Sequence, residues 1–360
     1  MTQDACDVHK IGLHRTASTN NGQTKSSPTS CDDTLSLLAA TTFEQTGSVL
    51  MFIFERKHLL ILLLILGIVA STHAKSEMGG RSSVKDNVKV RIYLIRHGES
   101  ASNKWGLIAG QDDVPLTKDG GVNEAKLLGQ KSTIIQNVPS FLRVYSSDLS
   151  RARDTAFIAL REAKTHQQDS IIEDKRLRER SYGHRQGFAR SMNDDEIIDI
   201  WKQYGIEPPL YETDEDLWER GKSWLLDVLQ QVQTMDQLEE QFTTTATAQE
   251  GSKSATTTTE QPKVFHVLAA SHSGLIREII LHLIPNEEYL IKKGAIYDSS
   301  KRKLIIPNTS VTILEFDIGM KGGAGDEASS SSISSLLLQT VKLIELTNAK
   351  HLDAINAYDD

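Results

Sequence analysis

The sequence predicts an α/β fold, a three-layer sandwich with a mainly parallel central sheet. From about residue 88 onward, β-rich runs alternate with stretches of helical apolar period, the order that strand–helix–strand units impose. One run, Val264-Phe-His-Val-Leu-Ala-Ala, is apolar without alternation, as expected of a strand covered on both faces. Three of the expected strands end in polar, reactive clusters. In open α/β sheets, ligands gather at the carboxyl ends of the strands.

The elements follow in order. Val88 to Ile95 is β-rich and partly alternating, a strand. A helix is expected around 120–136, a second strand from Phe141 to Ser146, and a helix from Ser150 to Glu162. Further helices are expected near 194–204 and 214–241, and Val264 to Ala270 is the third strand. Gly274 to Leu283 has apolar residues at 275, 276, 279, 280 and 283, a helical stripe. Val311 to Phe316 and Leu336 to Glu345 read as two more strands. Two low-complexity inserts interrupt this domain, Thr-rich 243–262 and Gly/Ser-rich 319–335. Neither has apolar surface to bury, so both are expected as flexible surface loops. The main domain is set at 88–350, after a linker at 75–87 and before a tail at 351–360.

Residues 1–50 are rich in Ser, Thr, Asn and Asp without an apolar period, and are expected to be disordered. The segment 51–74 has the three parts of a signal peptide. A basic region holds Arg56, Lys57 and His58, an apolar core runs from Leu59 to Ala70, and small residues stand at Thr72 and Ala74. The core is short for a membrane span of roughly 20 residues. One expectation is translation from Met51 and cleavage after Ala74. A second is an uncleaved signal anchor that tethers the chain through 58–71, with Arg56 and Lys57 cytosolic. A third is a buried helix, disfavoured because no amphipathic face is present. The first two place the protein in the secretory pathway or on a membrane, and a start at Met1 leaves it cytoplasmic. N-terminal sequencing of the mature protein decides: Lys75 as first residue is the expected result of cleavage, and an intact residue 51 rules cleavage out.

The chain has 360 residues and a formal net charge of −8. This mild acidity argues against a nucleic-acid partner, which calls for a basic patch or stripe. The two cysteines, Cys6 and Cys31, both lie in the N-terminal stretch, so the main domain has no disulfide and no cysteine-based zinc site. His166, His184, His266 and His282 lack the close spacing of a zinc helix, and read as structural or surface residues. No metal ligands are assigned.

The first strand ends at Arg96-His97-Gly98-Glu99, with Asn103 following. The second ends before Ser147-Asp148-Leu149-Ser150-Arg151-Ala152, and the third at Ser271-His272-Ser273-Gly274. Together they offer two imidazoles and two guanidiniums, a set suited to phosphoryl transfer. Fixed cations stabilise the charge on the phosphoryl oxygens, and the planar fork of arginine matches phosphate geometry. A neutral imidazole in one tautomer can attack phosphorus, and nearby arginines favour that neutral form. The amides opening the helix after His272 add an anion-binding element. The leaving oxygen needs an acid, for which Glu179 in Arg178-Glu179-Arg180-Ser-Tyr182-Gly183 is a candidate. A surface ion-pair cluster with Arg176, Arg178 and Arg180 is the competing reading of Glu179. Trp105 and Tyr182 read either as pocket walls or as core and rim packing.

Arg96-His97-Gly98-Glu99-Ser100 with Asn103 resembles the Arg-His-Gly-Glu-Thr-x-x-Asn signature of the histidine phosphatase (phosphoglycerate-mutase-like) superfamily. Ser147-x-Leu149-x-Arg151-Ala152-x-x-Thr155-Ala156 resembles its second motif, and Leu177-Arg-Glu179-Arg-x-Tyr182-Gly183-x-x-x-Gly187 the loop with the acid. Ser271-His272-Ser273-Gly274-Leu-Ile-Arg277 resembles the last catalytic motif. Gly110-Gln-Asp-Asp-Val-Pro115-Leu116-Thr117 with Gly120, and Pro307-Asn308-Thr-Ser310-Val311-Thr, match further segments. The order is right and the match spans roughly residues 90–317. The resemblance implies a phosphoglycerate-mutase-like fold and a phosphohistidine on His97. It implies that Arg96, Arg151 and His272 clamp the phosphoryl oxygens with help from Asn103, and that Glu179 acts as general acid and base. No cofactor is required. Gly110, Tyr182 and Ser273 are the remaining candidates for substrate binding, and Ser273 departs from the Gly found in many members.

The implied substrate is a small phosphorylated molecule, with sugar and glycerate phosphates the first classes to test. The phosphatase branch is preferred to the mutases. Mutases carry a Trp-Arg-Arg element, where this chain has Trp201-Lys202-Gln203-Tyr204, and follow the second histidine with Gly-Asn-Ser, where this chain has Ser273-Gly274-Leu275. A phosphoglycerate mutase stays as the alternative, and a non-catalytic phosphate-binding protein as the second. A membrane-tethered scaffold is a further reading, for which the inserts show no peptide motif. Substrate specificity is expected to depend on 184–242, where no diagnostic pattern stands out.

Overall fold

The computed structural model describes residues 88–165, 167–249, 262–298, 303–318, 338 and 340–353, all within one unit, Lys85–Asp360. The expectations for residues 1–87, including the signal-like segment and the tether at 58–71, lie outside the described residues. So do 250–261 and 319–337, most of the first insert and all of the second. Among the described residues no helix is long and apolar enough to cross a membrane.

The strands are β1 (Lys89–Arg96), β2 (Arg143–Ser146), β3 (Ile171–Glu173), β4 (Val264–Ser271), β5 (Ile296–Asp298), β6 (Lys303–Ile305), β7 (Val311–Asp317) and β8 (Lys342–Asn348). The helices are α1 (Ala101–Lys104), α2 (Gly121–Lys131), α3 (Thr133–Gln136), α4 (Ser150–Glu162), α5 (Asp194–Gln203), α6 (Asp214–Gln249), α7 (Ser273–Leu283) and α8 (Glu287–Lys292). The main sheet has the order β3-β2-β4-β1-β7-β8. β3, β2, β4 and β1 run parallel, while β7 is antiparallel to β1 and β8 to β7. The mainly parallel sheet read from the sequence is present, with an antiparallel edge. β5 and β6 form a separate hairpin.

Side chains alternate across the central strands, and both faces are covered. Ile92 and Leu94 of β1 and Val267 and Ala269 of β4 pack with Trp224 and Leu225 of α6 and Leu275 and Ile279 of α7. Tyr93, Ile95, Leu268 and Ala270 face the other way, against Leu128 of α2 and Ala152, Ala156 and Leu160 of α4. Each large apolar side chain fully buried this way contributes about 1.5–3 kcal/mol. Helices thus sit on both faces of the β1–β4 pair, which holds their carboxyl ends in place.

Several boundaries differ from the sequence reading. The helix expected around 120–136 breaks at Ser132, which is extended at ψ 106°, and the turn delivers Ile135 into the core. The helix expected at 214–241 runs on to Gln249, so 243–249 of the Thr-rich insert is helix and not loop. Threonine is only a mildly poor helix former, and lengthening an existing helix needs no new nucleus. The strand expected at Leu336–Glu345 lies at Lys342–Asn348, because pairing with β7 sets its extent, from Glu315 opposite Lys342 to Val311 opposite Asn348. Residue 351, read as the start of a tail, belongs to a 3-10 turn at Lys350–Leu352 that buries His351 against the Thr309 hydroxyl at 2.9 Å. β3, β5 and β6 have three residues each, too few to show a period.

Candidate active site

β1 and β4 are adjacent and parallel, with Arg96 opposite Ser271. The next residues, His97 and His272, therefore leave the sheet side by side. The His97 amide donates to the Ser271 carbonyl at 3.0 Å, and the two imidazole centroids are 5.0 Å apart. β2 flanks β4 with Ser146 opposite Ala270, which brings the Ser147 hydroxyl to 2.9 Å from His272 Nε2. Arg151 enters from the first turn of α4 and is only 1% exposed. Arg153, two residues on, pairs with Asp154 and Glu173 at the surface. The three strand ends expected to carry the chemistry do converge.

His97 is buried, and its Nδ1 lies 2.7 Å from the Gly98 carbonyl. A carbonyl only accepts, so Nδ1 carries the hydrogen and Nε2 keeps its lone pair. Burial holds the His97 pKa well below 6.5, and the charges of Arg96 and Arg151 push it the same way. His272 is shifted down as well, by burial first and then by Arg151. Both rings are neutral at physiological pH. The sign for stability follows from linkage. The folded pKa values are depressed, so the unfolded chain takes up more protons below about 6.5. Thermal melts are expected to show stability present above that pH and progressively lost as pH falls below it, with a shallower loss in His272→Asn. A melting temperature independent of pH between 7 and 5 contradicts this.

Two arginines stand beside His97, Arg151 buried and Arg96 half-buried. Burial brings Arg96 down to about 10, still a cation at neutral pH. Its Nη1 donates to the Ile306 carbonyl at 2.6 Å. Arg151 donates through Nη1 to the Asp112 carbonyl and through Nη2 to the Gly110 carbonyl, both at 2.8 Å. Gly110 has φ +52°, and a Cβ there would strike the Gln186 side chain; the glycine lets its carbonyl turn onto Arg151. Arg96 Nε, Arg151 Nε and His272 Nδ1 are buried without a protein partner. A buried donor left unpaired costs about 1–3 kcal/mol, and three such groups around one imidazole suit an anion with several acceptor oxygens.

Glu179 is 7% exposed. Its Oε1 accepts from the Arg180 amide at 2.8 Å, and its Oε2 from the Gly274 amide at 3.1 Å and the Ser273 hydroxyl at 3.2 Å. A Cβ at residue 274 would collide with this carboxylate. The neighbouring arginines pair elsewhere: Arg176 with Asp174 and Asp227, Arg178 with Asp148, and Arg180 with Glu278 and Asp214. The surface ion-pair reading of Glu179 thus gives way. Its carboxylate sits at the amino end of α7 and lines the same cavity as His97.

That cavity has a volume of about 610 Å³ and is lined by Arg96, His97, Arg151, Glu179, Asn103, Gly110, Tyr182 and Ser273. His272 lies just behind it, fully buried. Asn103 is the third residue of α1 and closes a capping box with the N-cap Ser100, its Oδ1 accepting from the Ser100 amide and hydroxyl. Tyr182 packs edge-on against Tyr211, and burial raises its hydroxyl pKa to about 12. Trp105, considered as a pocket wall, is 72% exposed and lies outside the lining. His184, read as structural or surface, lines the cavity and faces Asp194 at 3.3 Å. The sequence reading also missed Arg185, Arg190, Tyr211 and Lys303, which come from loops and a short strand without periodic signal. Among the described residues no group of three or more His, Cys, Asp or Glu is placed to hold a metal ion.

Residues 92–238 match the family model of the histidine phosphatase superfamily, branch 1. The matched segment is a domain of the histidine phosphatase superfamily. It contains His97, Arg151 and Glu179, while His272 follows it in the chain. A 2,3-bisphosphoglycerate-dependent phosphoglycerate mutase of Staphylococcus aureus (strain JH9) is 36% identical over 130 residues, 35% of this chain and 55% of the relative. The chain therefore spans about half the length of the curated relatives it matches. Among solved structures, a phosphoglycerate mutase from Bacillus anthracis str. Sterne is similar at 22% identity and TM-score 0.43, over 75% of this chain and 97% of that one. A mycobacterial glucosyl-3-phosphoglycerate phosphatase is similar at 19% identity and TM-score 0.44, over 72% and 99%.

Proposed function

We propose that this histidine phosphatase superfamily chain is a phosphomonoester hydrolase that works through a phosphohistidine on His97. The observation that carries the reading is the Nδ1–H bond of His97 to the Gly98 carbonyl, which leaves a neutral Nε2 lone pair in a cavity shared with the Arg96 and Arg151 guanidiniums. Nε2 attacks phosphorus, and the bond from phosphorus to the ester oxygen breaks. Arg96, Arg151 and His272 stabilise the phosphoryl oxygens. For His272 this requires the Ser147 hydroxyl to donate to Nε2, so that Nδ1–H points to the anion. Glu179, protonated, gives its proton to the leaving alkoxide. As a carboxylate it then takes a proton from water, hydroxide attacks phosphorus, and the nitrogen–phosphorus bond breaks to restore His97. Asn103, Gly110 and Tyr182 line the substrate's place in the cavity, and Ser273 acts through its bond to Glu179.

The substrate is a small phosphate ester, with sugar and glycerate phosphates the first classes to test. A phosphoglycerate mutase is the second reading, favoured by the name of the Staphylococcus aureus relative. Hydrolysis is preferred because Lys202 and Gln203 stand where the mutase arginines are expected, and Ser273-Gly274-Leu275 follows the second histidine. The test is phosphate release by the full chain from an aryl phosphate and a panel of sugar and glycerate phosphates, beside a 3-phosphoglycerate isomerisation assay. Release without isomerisation is expected. Isomerisation with little release overturns the hydrolase reading.

A further inference from the structure

One guanidinium gathers three carbonyls of the loop that carries Glu179, beside the Ser271 hydroxyl on the Leu177 carbonyl at 2.8 Å and the Gln111 amide on the Glu179 carbonyl at 3.2 Å. Arg220 lies on α6 between two fully buried anchors, Leu217 and Trp224, three residues before and four after it, and so on the same helix face. Its Nη1 donates to the Arg176 and Arg178 carbonyls, both at 2.8 Å, and its Nη2 to the Glu179 carbonyl at 3.0 Å. Three carbonyls within four residues thus converge on one guanidinium. The same group is paired with Glu212, Nε to Oε1 at 2.8 Å and Nη2 to Oε2 at 3.0 Å. Glu212 in turn accepts the Ser181 amide at 2.8 Å, and its carbonyl accepts from Arg180 at 2.9 Å. The segment 176–181 is therefore tied down on both sides of Glu179, directly to Arg220 of α6 and through Glu212, which precedes that helix and pairs with Arg220. The 176–178 part is otherwise a 3-10 turn and extended backbone.

We infer that Arg220 is a positioning residue: by gathering the carbonyls of 176, 178 and 179, it sets the Glu179 carboxyl at the leaving-group oxygen. This inference rests on the phosphatase reading above. Arg220 lines no part of the cavity; its charge also helps keep His272 neutral, an effect that falls on every ester alike, whereas its hold on the loop acts through the acid and so depends on the leaving group. A planar fork with five donors is needed for this many acceptors, and a misplacement of about 1 Å at a catalytic group is worth roughly a hundredfold in rate.

The experiment compares wild type, Arg220→Met, Glu212→Gln and Glu179→Gln in the full chain, on phosphate monoesters whose leaving groups run from p-nitrophenol to a simple alcohol. An acid matters most when the leaving oxygen is basic. Arg220→Met is expected to lose roughly a hundredfold in kcat on the alkyl ester but under about tenfold on p-nitrophenyl phosphate, with KM little changed. Glu212→Gln keeps the shape of the pair and is expected to show the same leaving-group pattern with smaller losses, which covers failure of Arg220→Met to fold. Adding Arg220→Met to Glu179→Gln is expected to cause little further loss, because the acid it positions is already gone. Equal losses on all esters, or full additivity in the double variant, overturn the inference and leave the phosphatase reading standing. A wild-type protein that hydrolyses none of the esters overturns both.

Discussion

Replacing His97 with alanine is expected to remove phosphate release by on the order of 10⁴-fold or more, the scale on which loss of a covalent nucleophile acts. The ring is held by one backbone bond, Nδ1 to the Gly98 carbonyl, and it lines the cavity, which His272 does not. His272 does not substitute for it, because it is fully buried and its Nε2 is engaged by Ser147. Removing a buried imidazole that resists protonation is also expected to lessen the loss of stability below pH 6.5. Phosphate-release assays and melts on the same preparation separate the two effects. Activity of His97→Ala within tenfold of wild type contradicts the assignment.

Glu179→Gln is expected to lower kcat by about 10²–10⁴-fold on alkyl phosphates, the range of a positioned general acid, and far less on aryl phosphates with acidic phenols. The amide keeps an oxygen to accept from Gly274 but has no proton of carboxylic acidity to transfer. Three groups grip the carboxylate, the Arg180 and Gly274 amides and the Ser273 hydroxyl. All three are donors, so one side of the glutamine amide meets an N–H without an acceptor, at a cost of about 1–3 kcal/mol; the fold is expected to survive with KM nearly unchanged. A Glu179→Gln protein with equal losses across leaving groups contradicts the acid role.

Much of this site was legible because its parts stand at the ends of strands. The polar clusters after β1, β2 and β4 mark the carboxyl edge of a parallel sheet, and the pairing of Arg96 with Ser271 then sets His97 beside His272. Helix α4 was readable to the residue, Ser150–Glu162, since its apolar face is continuous. Glu179 was legible as a residue but not as a geometry. What frees its carboxyl for the cavity is that Arg176, Arg178 and Arg180 find partners at Asp174, Asp148 and Glu278, residues up to 98 positions away in the chain. Arg220 and Glu212 carry no local signature, because their meaning lies in which carbonyls they meet. The cavity wall built by His184, Arg190 and Lys303 comes from turns and a three-residue strand, where neither period nor motif operates. Trp105 was left open between pocket wall and core or rim packing; it follows the four-residue helix α1 at 72% exposure, outside the cavity.

The most direct test of the central claim is to trap the covalent intermediate. The full chain is mixed with a phosphate ester labelled on phosphorus, quenched in base within milliseconds, and mapped by mass spectrometry. The expected result is a phosphoryl group on His97, stable in base and lost in acid as a phosphoramidate is, accumulating further in Glu179→Gln on an aryl ester and absent in His97→Ala. Turnover with no label on His97, or a label on another residue, contradicts a phosphohistidine at this position.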